Sequence, residues 1–225
     1  MTLNIAHRGA SRDAPENTLE AFALAIDQGA EMIETDLHLT RDGKIALYHD
    51  REIQGKKLKH LDLAELLRLQ PNLPTLDQVL DEFGDRIPFN LEFKSVLWNR
   101  YRLLPELCLE EVCRRGLLEQ TLFSCFYDGA LARLRRLEPS ARIALLTGSR
   151  LPFWLVTRAM KLCAEAVNPH RRATTPEFVS RMHHYGLRVN VFVSDEAEDQ
   201  RKLIDWGVDG IFTNRPAQLG EILGS

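Results

Sequence analysis

The chain has no run of about 18 apolar residues, so it offers no candidate for a membrane-spanning helix. Its opening residues, Met1-Thr2-Leu3-Asn4, form neither a basic nor an apolar leader, and no signal peptide is expected. It also lacks any excess of positive charge. Lysine and arginine total 29 against 32 aspartate and glutamate, a formal charge of -3, which argues against a nucleic-acid partner. Cysteine is scarce: Cys108, Cys113, Cys125 and Cys163 form no C-x-x-C pair and are too few to staple 225 residues. They are expected to be reduced, in a cytoplasmic protein. No low-complexity stretch or linker interrupts the chain, so residues 1–225 read as a single domain.

The 44% apolar residues are those of an ordinary globular protein, and their spacing alternates between two periods. Strand-like segments fall at residues 3–6, 32–40, 87–94, 121–125, 142–146, 164–167, 187–193 and 209–213. Helical segments lie between them, at about 62–69, from 76 onward, and at 103–115, 128–137, 152–161, 176–185, 196–206 and 216–223. The first helix follows Asn17, which with Glu20 three residues on reads as a capping box, and it ends at Gly29. Thr175-Pro176 predicts an N-cap with proline at the first helical position. Asp42-Gly43 predicts a hairpin turn into residues 45–49. Eight strand–helix units with no second domain left over predict a parallel (β/α)₈ TIM barrel. An open, doubly wound sheet is the alternative, but the polar residues below cluster at the C-terminal ends of several strands, where barrels keep their chemistry.

In residues 32–40, Glu34, Asp36 and His38 share one face, because strand side chains repeat every two residues. Asn90, Glu92 and Lys94 share a face of the third strand. Neighbouring acidic strands would bring Glu34, Asp36 and Glu92 together at the barrel mouth, where they would repel one another unless a cation sat among them. All-oxygen ligation suits Mg²⁺ or Ca²⁺. His7 and His49 can serve as an acid–base pair, since imidazole titrates near neutrality. Arg8 offers a forked donor for phosphate oxygens, and Lys94 a second positive charge. Such a site suits phosphoester cleavage better than carbonyl chemistry. A Schiff-base role for Lys94 would need a desolvated amine, which neighbours Asn90 and Glu92 oppose.

These residues resemble the glycerophosphodiester phosphodiesterases. The resemblance is carried by His7-Arg8-Gly9, Pro15-Glu16-Asn17-Thr18, Glu34-Thr35-Asp36, Thr40-Arg41-Asp42-Gly43 and His49-Asp50. It continues through Pro74-Thr75-Leu76, Asn90-Leu91-Glu92-Phe93-Lys94, Ser124 with Phe126, and the ending from Gly207 to Pro216. It implies a TIM barrel that hydrolyses glycerophosphodiesters to an alcohol and glycerol 3-phosphate. By the same resemblance Glu34, Asp36 and Glu92 ligate one divalent cation, His7 and His49 are the acid–base pair, and Arg8 and Lys94 hold the phosphate.

Two departures bear on the substrate. After His49-Asp50 the family usually carries a longer insertion, whereas here residues 51–57 and a short helix stand in its place, implying a more open mouth. Residues 191–195 read Val-Phe-Val-Ser-Asp where the family has a Trp-Thr-Val-Asn pattern. Phe192 is then expected to replace the tryptophan as an apolar wall beside the glycerol. Asp195 is expected to be a helix N-cap, with Glu198 completing a capping box. The alternatives are a lysophospholipase D or phospholipase-type activity on acylated substrates, and a non-catalytic phosphate-binding barrel, which the complete residue set opposes. The stretch from Leu151 to Val156 could touch a membrane surface, but is expected to belong to an ordinary barrel helix. Oligomeric state is not legible.

Overall fold

A computed structural model describes residues 1–94, 103–150 and 152–224. Eight parallel strands close into a ring: β1 (Leu3–His7), β2 (Met32–Leu39), β6 (Phe89–Phe93), β7 (Thr121–Cys125), β8 (Arg142–Thr147), β9 (Ala166–Pro169), β10 (Arg188–Val191) and β11 (Gly210–Thr213). Pairing of β1 with both β11 and β2 completes the circle, so the fold is the TIM barrel that the alternation predicts. The open-sheet alternative is excluded by that closure.

Around the ring run α1 (Leu19–Asp27), α2 (Leu63–Leu69), α3 (Leu76–Phe83), α4 (Leu103–Arg114), α5 (Asp128–Leu137), α6 (Leu155–Lys161), α7 (Pro176–His184), α8 (Ala197–Asp205) and α9 (Pro216–Leu223). Their buried stripes meet the outward face of the strands in one large core that includes Phe22, Phe83, Phe89, Leu91, Phe123 and Val189. The inward face carries a separate apolar plug of Ile5, Met32, Leu122, Ala144, Ala166 and Phe212. Among the described residues, no helix is long and apolar enough to cross a membrane.

The predicted hairpin forms. β2 runs past the barrel rim and pairs antiparallel with β3 (Ile45–Leu47), Leu37 opposite Leu47. A smaller ribbon of β4 (Glu52–Ile53) and β5 (Lys56–Lys57) and the short α2 follow, so the insertion at the mouth is compact.

Three local expectations fail. The N-cap of α1 is Thr18, not Asn17: Thr18 Oγ1 accepts from Ala21 N at 3.2 Å. Asn17 instead takes a left-handed backbone (φ 55°), which asparagine tolerates better than most residues. The cap of α8 is Glu196 with no side-chain hydrogen bond, so Asp195 caps nothing. The sixth helix begins at Leu155 rather than at residue 152, leaving Phe153 and Trp154 exposed ahead of it while Leu155 and Ala159 pack inward. Leu151 lies outside the described residues.

Candidate active site

Strand register assembles the site. On β1 and β2, His7 lies beside Glu34; on β2 and β6, Asp36 lies beside Glu92. Because all four point into the barrel at its C-terminal end, two pairings suffice to bring three carboxylates together. One oxygen from each of Glu34, Asp36 and Glu92 falls within 4.8 Å of the others, and all three residues are buried.

Lys94, just beyond β6, bridges two of them. Its Nζ lies 2.8 Å from Asp36 Oδ1 and 2.7 Å from Glu92 Oε1. Arg8 Nε lies 2.9 Å from Asp36 Oδ2, and Arg8 Nη1 donates to Glu16 at 2.9 Å. Asn17 Nδ2 donates to the same Asp36 oxygen at 2.9 Å, while its Oδ1 accepts from Thr35 Oγ1 at 2.7 Å. Asp36, 0% exposed, is thus surrounded by donors. Gly9 makes this turn possible. It has φ 82°, and a Cβ there would meet the Ala21 backbone at 2.7 Å, so the loop carrying Arg8 can lie directly on α1.

The electrostatics divide the three acids. Burial, reinforced by Asp36 and Glu92, pushes Glu34 well above the carboxylate range. Burial also raises Glu92 to about 7, against the pull of Lys94. Burial would raise Asp36 too, but Lys94 and Arg8 outweigh it and hold that carboxyl below its ordinary value. Lys94, despite its own desolvation, is held fully charged by Glu92 and Asp36. Glu34 Oε2 accepts from Arg8 N at 3.2 Å, and Oε1 has no hydrogen-bond partner among the described residues. An orphaned oxygen on a buried acid whose ionisation is penalised is what a divalent cation would relieve. The donor set therefore fits Mg²⁺ or Ca²⁺, both oxygen-seeking ions.

His7 Nε2 is 3.9 Å from Glu34 Oε2, and its Nδ1 is 2.7 Å from Asn214 Oδ1. Burial and then Arg8 lower His7 to about 4, keeping the ring neutral. His49 lies on the loop after β3 with Nδ1 2.8 Å from Asp50 Oδ1. It borders a cleft of about 670 Å³, together with Asp50, Arg51, Glu52, Glu92, Phe93, Lys94 and Phe126. That volume lies in the range of small-molecule sites. Phe192 stands at the rim, edge-on to Phe126, His170 and Phe212 at centroid distances of 6.0, 5.6 and 6.4 Å.

Sequence reasoning assigned no site role to four residues that the structure ties to these groups. Asn17 braces Asp36; His38, buried and lowered to about 4 by burial, places Nε2 3.3 Å from His49 O. Asn214 and Asp195 stand behind His7. His38 was visible as a third polar residue on the β2 face; the others needed the tertiary structure.

A closed parallel barrel with buried acids, a lysine bridge and two histidines at its C-terminal mouth has the make-up of a phosphoester hydrolase. The chain matches the glycerophosphoryl diester phosphodiesterase family over residues 7–218 and belongs to that family, whose enzymes are phosphoric diester hydrolases. It is 30% identical to a glycerophosphodiester phosphodiesterase of Caldanaerobacter subterraneus subsp. tengcongensis, covering 97% of this chain and 96% of that one. Its structure resembles a glycerophosphodiester phosphodiesterase from Parabacteroides distasonis (TM-score 0.89, 29% identity, 100% and 98% coverage). It also resembles an Oleispira antarctica phosphodiesterase in complex with its product sn-glycerol-3-phosphate (TM-score 0.84, 27% identity, 98% and 96% coverage).

Proposed function

We propose that the protein hydrolyses glycerophosphodiesters to an alcohol and sn-glycerol 3-phosphate, in the cytoplasm and as one barrel domain. In this reading Glu34, Asp36 and Glu92 hold one divalent cation, Mg²⁺ or Ca²⁺. The observation that carries the reading is the convergence of those three acids within 4.8 Å beside His7 and Lys94. When bound, the cation supplies Lewis-acid charge at the phosphate. Arg8 and Lys94 add fixed positive charge where the phosphate gathers negative charge. His7 and His49 move the protons. One accepts the proton of the attacking glycerol hydroxyl as the new O–P bond forms, and the other donates a proton to the departing alcohol as the old one breaks. Water then opens the cyclic phosphate with those roles exchanged. Phe192 and Phe126 form the apolar wall against the glycerol carbons.

The compact ribbon of β4 and β5 and the half-exposed Phe126 favour a second reading, an acylated substrate of the lysophospholipid kind, whose chain could leave the cleft across the aromatic rim. Release of choline from glycerophosphocholine, which leaves glycerol 3-phosphate, and from lysophosphatidylcholine, which leaves acylglycerol 3-phosphate, separates the two when run side by side. The first reading expects a higher kcat/KM for glycerophosphocholine. Turnover of the lysophospholipid alone would replace it with the second, and no release from either would refute both.

A further inference from the structure

We propose that Asp195 and Asn214 are positioning residues that fix His7 with its proton on Nδ1, making Nε2 the atom that accepts the substrate proton. The inference rests on His7 acting in acid–base catalysis and assigns its half of that chemistry.

The assignment follows from which groups can donate. A carboxylate only accepts. Asp195 accepts from Thr213 Oγ1 at 3.0 Å and Asn214 N at 2.7 Å through Oδ1, and from Asn214 Nδ2 at 2.7 Å through Oδ2. The nitrogen of the Asn214 amide must therefore face Asp195. Its oxygen faces the other way, 2.7 Å from His7 Nδ1 and 2.8 Å from Ser11 Oγ. An amide oxygen has no proton to give, so the proton between Oδ1 and the ring belongs to Nδ1. Nε2, on the side of Glu34, keeps its lone pair.

The relay is built into the frame. Thr213 is paired with Ala6 across β11 and β1, which places Asn214 beside His7. Gln218 Nε2 donates to Asp195 O at 2.7 Å, and the fully buried Gln200 donates to Ser194 O at 2.9 Å and Thr213 Oγ1 at 3.2 Å. Asp195 makes no helix cap, so its carboxylate is committed to Asn214 and Thr213. Asn214 presents an amide dipole to His7 rather than a full charge, orienting the ring without pairing it to an anion.

The test compares Asn214→Ala, Asn214→Asp and the transposed pair Asp195→Asn/Asn214→Asp. Steady-state kinetics on glycerophosphocholine with saturating divalent cation are read beside the nitrogen shifts of ¹⁵N-labelled His7 in cation-free protein. Asn214→Ala is expected to lose about 10- to 100-fold in kcat, as removal of an orienting partner does. Its KM should stay within about threefold, since substrate contacts are untouched. The His7 signals should move from a pure Nδ1–H pattern toward a mixture of both ring tautomers. Asn214→Asp sets two carboxylates face to face and should lose as much. The transposed pair restores a donor–acceptor contact between positions 195 and 214 and an acceptor for His7. It is expected to recover to within about fivefold of wild type, a non-additivity expected of touching residues. An unchanged His7 tautomer in Asn214→Ala, or a transposed pair no better than Asn214→Asp, would overturn the relay. If Asn214→Ala does not fold, the transposed pair decides alone. Near-normal turnover in His7→Ala would defeat the acid–base reading instead, and leaves the tautomer result standing.

Discussion

Met32 and Glu34 are two residues apart on the same inward face of β2, yet they serve opposite halves of the barrel interior. Met32 packs with Ile5, Leu122, Ala144, Ala166 and Phe212, a plug whose members are at most 4% exposed. Glu34, about 7 Å further along at the usual strand rise, enters a layer of acids, cations and histidines. The lower half gains stability by removing apolar surface from water, at roughly 25 cal/mol per Å². The upper half does the reverse, burying charge that is only partly compensated. Asp36 is matched by Lys94, Arg8 and Asn17, whereas Glu34 keeps an oxygen without a partner among the described residues. Stability and chemistry are thus separated along single strands, and each half can be perturbed without the other.

The strongest way to break the division is Glu34→Gln. It should abolish the response of turnover to divalent cation while leaving the cation-free Tm at or above that of wild type, because a penalised buried charge is gone. A large drop in Tm would show that the acid is structural. His7→Ala and His49→Ala should each lower kcat by at least about 10²-fold, with circular dichroism unchanged; near-normal turnover removes that histidine from the mechanism.

A pH titration sharpens the picture further. Glu92 is raised to about 7, so in the cation-free protein its ionisation costs stability as pH rises through that value, and cation binding requires the ionised form. Affinity for Mg²⁺ or Ca²⁺, measured by calorimetry, should therefore fall by at least about tenfold per pH unit below 7, because a proton on Glu92 competes with the ion and the raised Glu34 adds to that competition. A flat affinity between pH 5 and 8 (pH values on the order of the Glu92 transition) would refute Glu92 as a ligand. The smallest effect on chemistry is expected in the lower half. Leu122→Ala should cost about 2–5 kcal/mol of stability yet leave the kcat of the folded enzyme nearly unchanged. A matching loss of kcat would mean that the two halves are coupled.

Much of this was legible beforehand because it rests on short-range pattern. The two-residue period of β2 put Glu34 and Asp36 on one face, and the strand–helix alternation led to the barrel whose closure pairs β1 with β2. What stayed hidden was which polar residue serves a neighbour in sequence and which serves a distant strand. Asn17 before Glu20 and Asp195 before Glu198 both look like caps. In the fold, Asn17 reaches Asp36 nineteen residues away, and Asp195 reaches Asn214 at the same separation. The hydrogen-bonding chemistry of a cap and of a long-range brace is the same, so only the register distinguishes them. The start of α6 was misplaced because Pro152, Phe153 and Trp154 continue the apolar pattern without being buried as a helix face.

The central claim is that the three acids form a cation site that makes the barrel a phosphodiesterase. Protein stripped with EDTA and titrated with Mg²⁺ or Ca²⁺, with heat of binding and release of glycerol 3-phosphate followed together, tests it most directly. The account predicts negligible turnover after stripping, recovery along the same curve as binding of one ion, and loss of both signals in Glu34→Gln. Full turnover surviving chelation, or an unchanged binding curve in that variant, would contradict it.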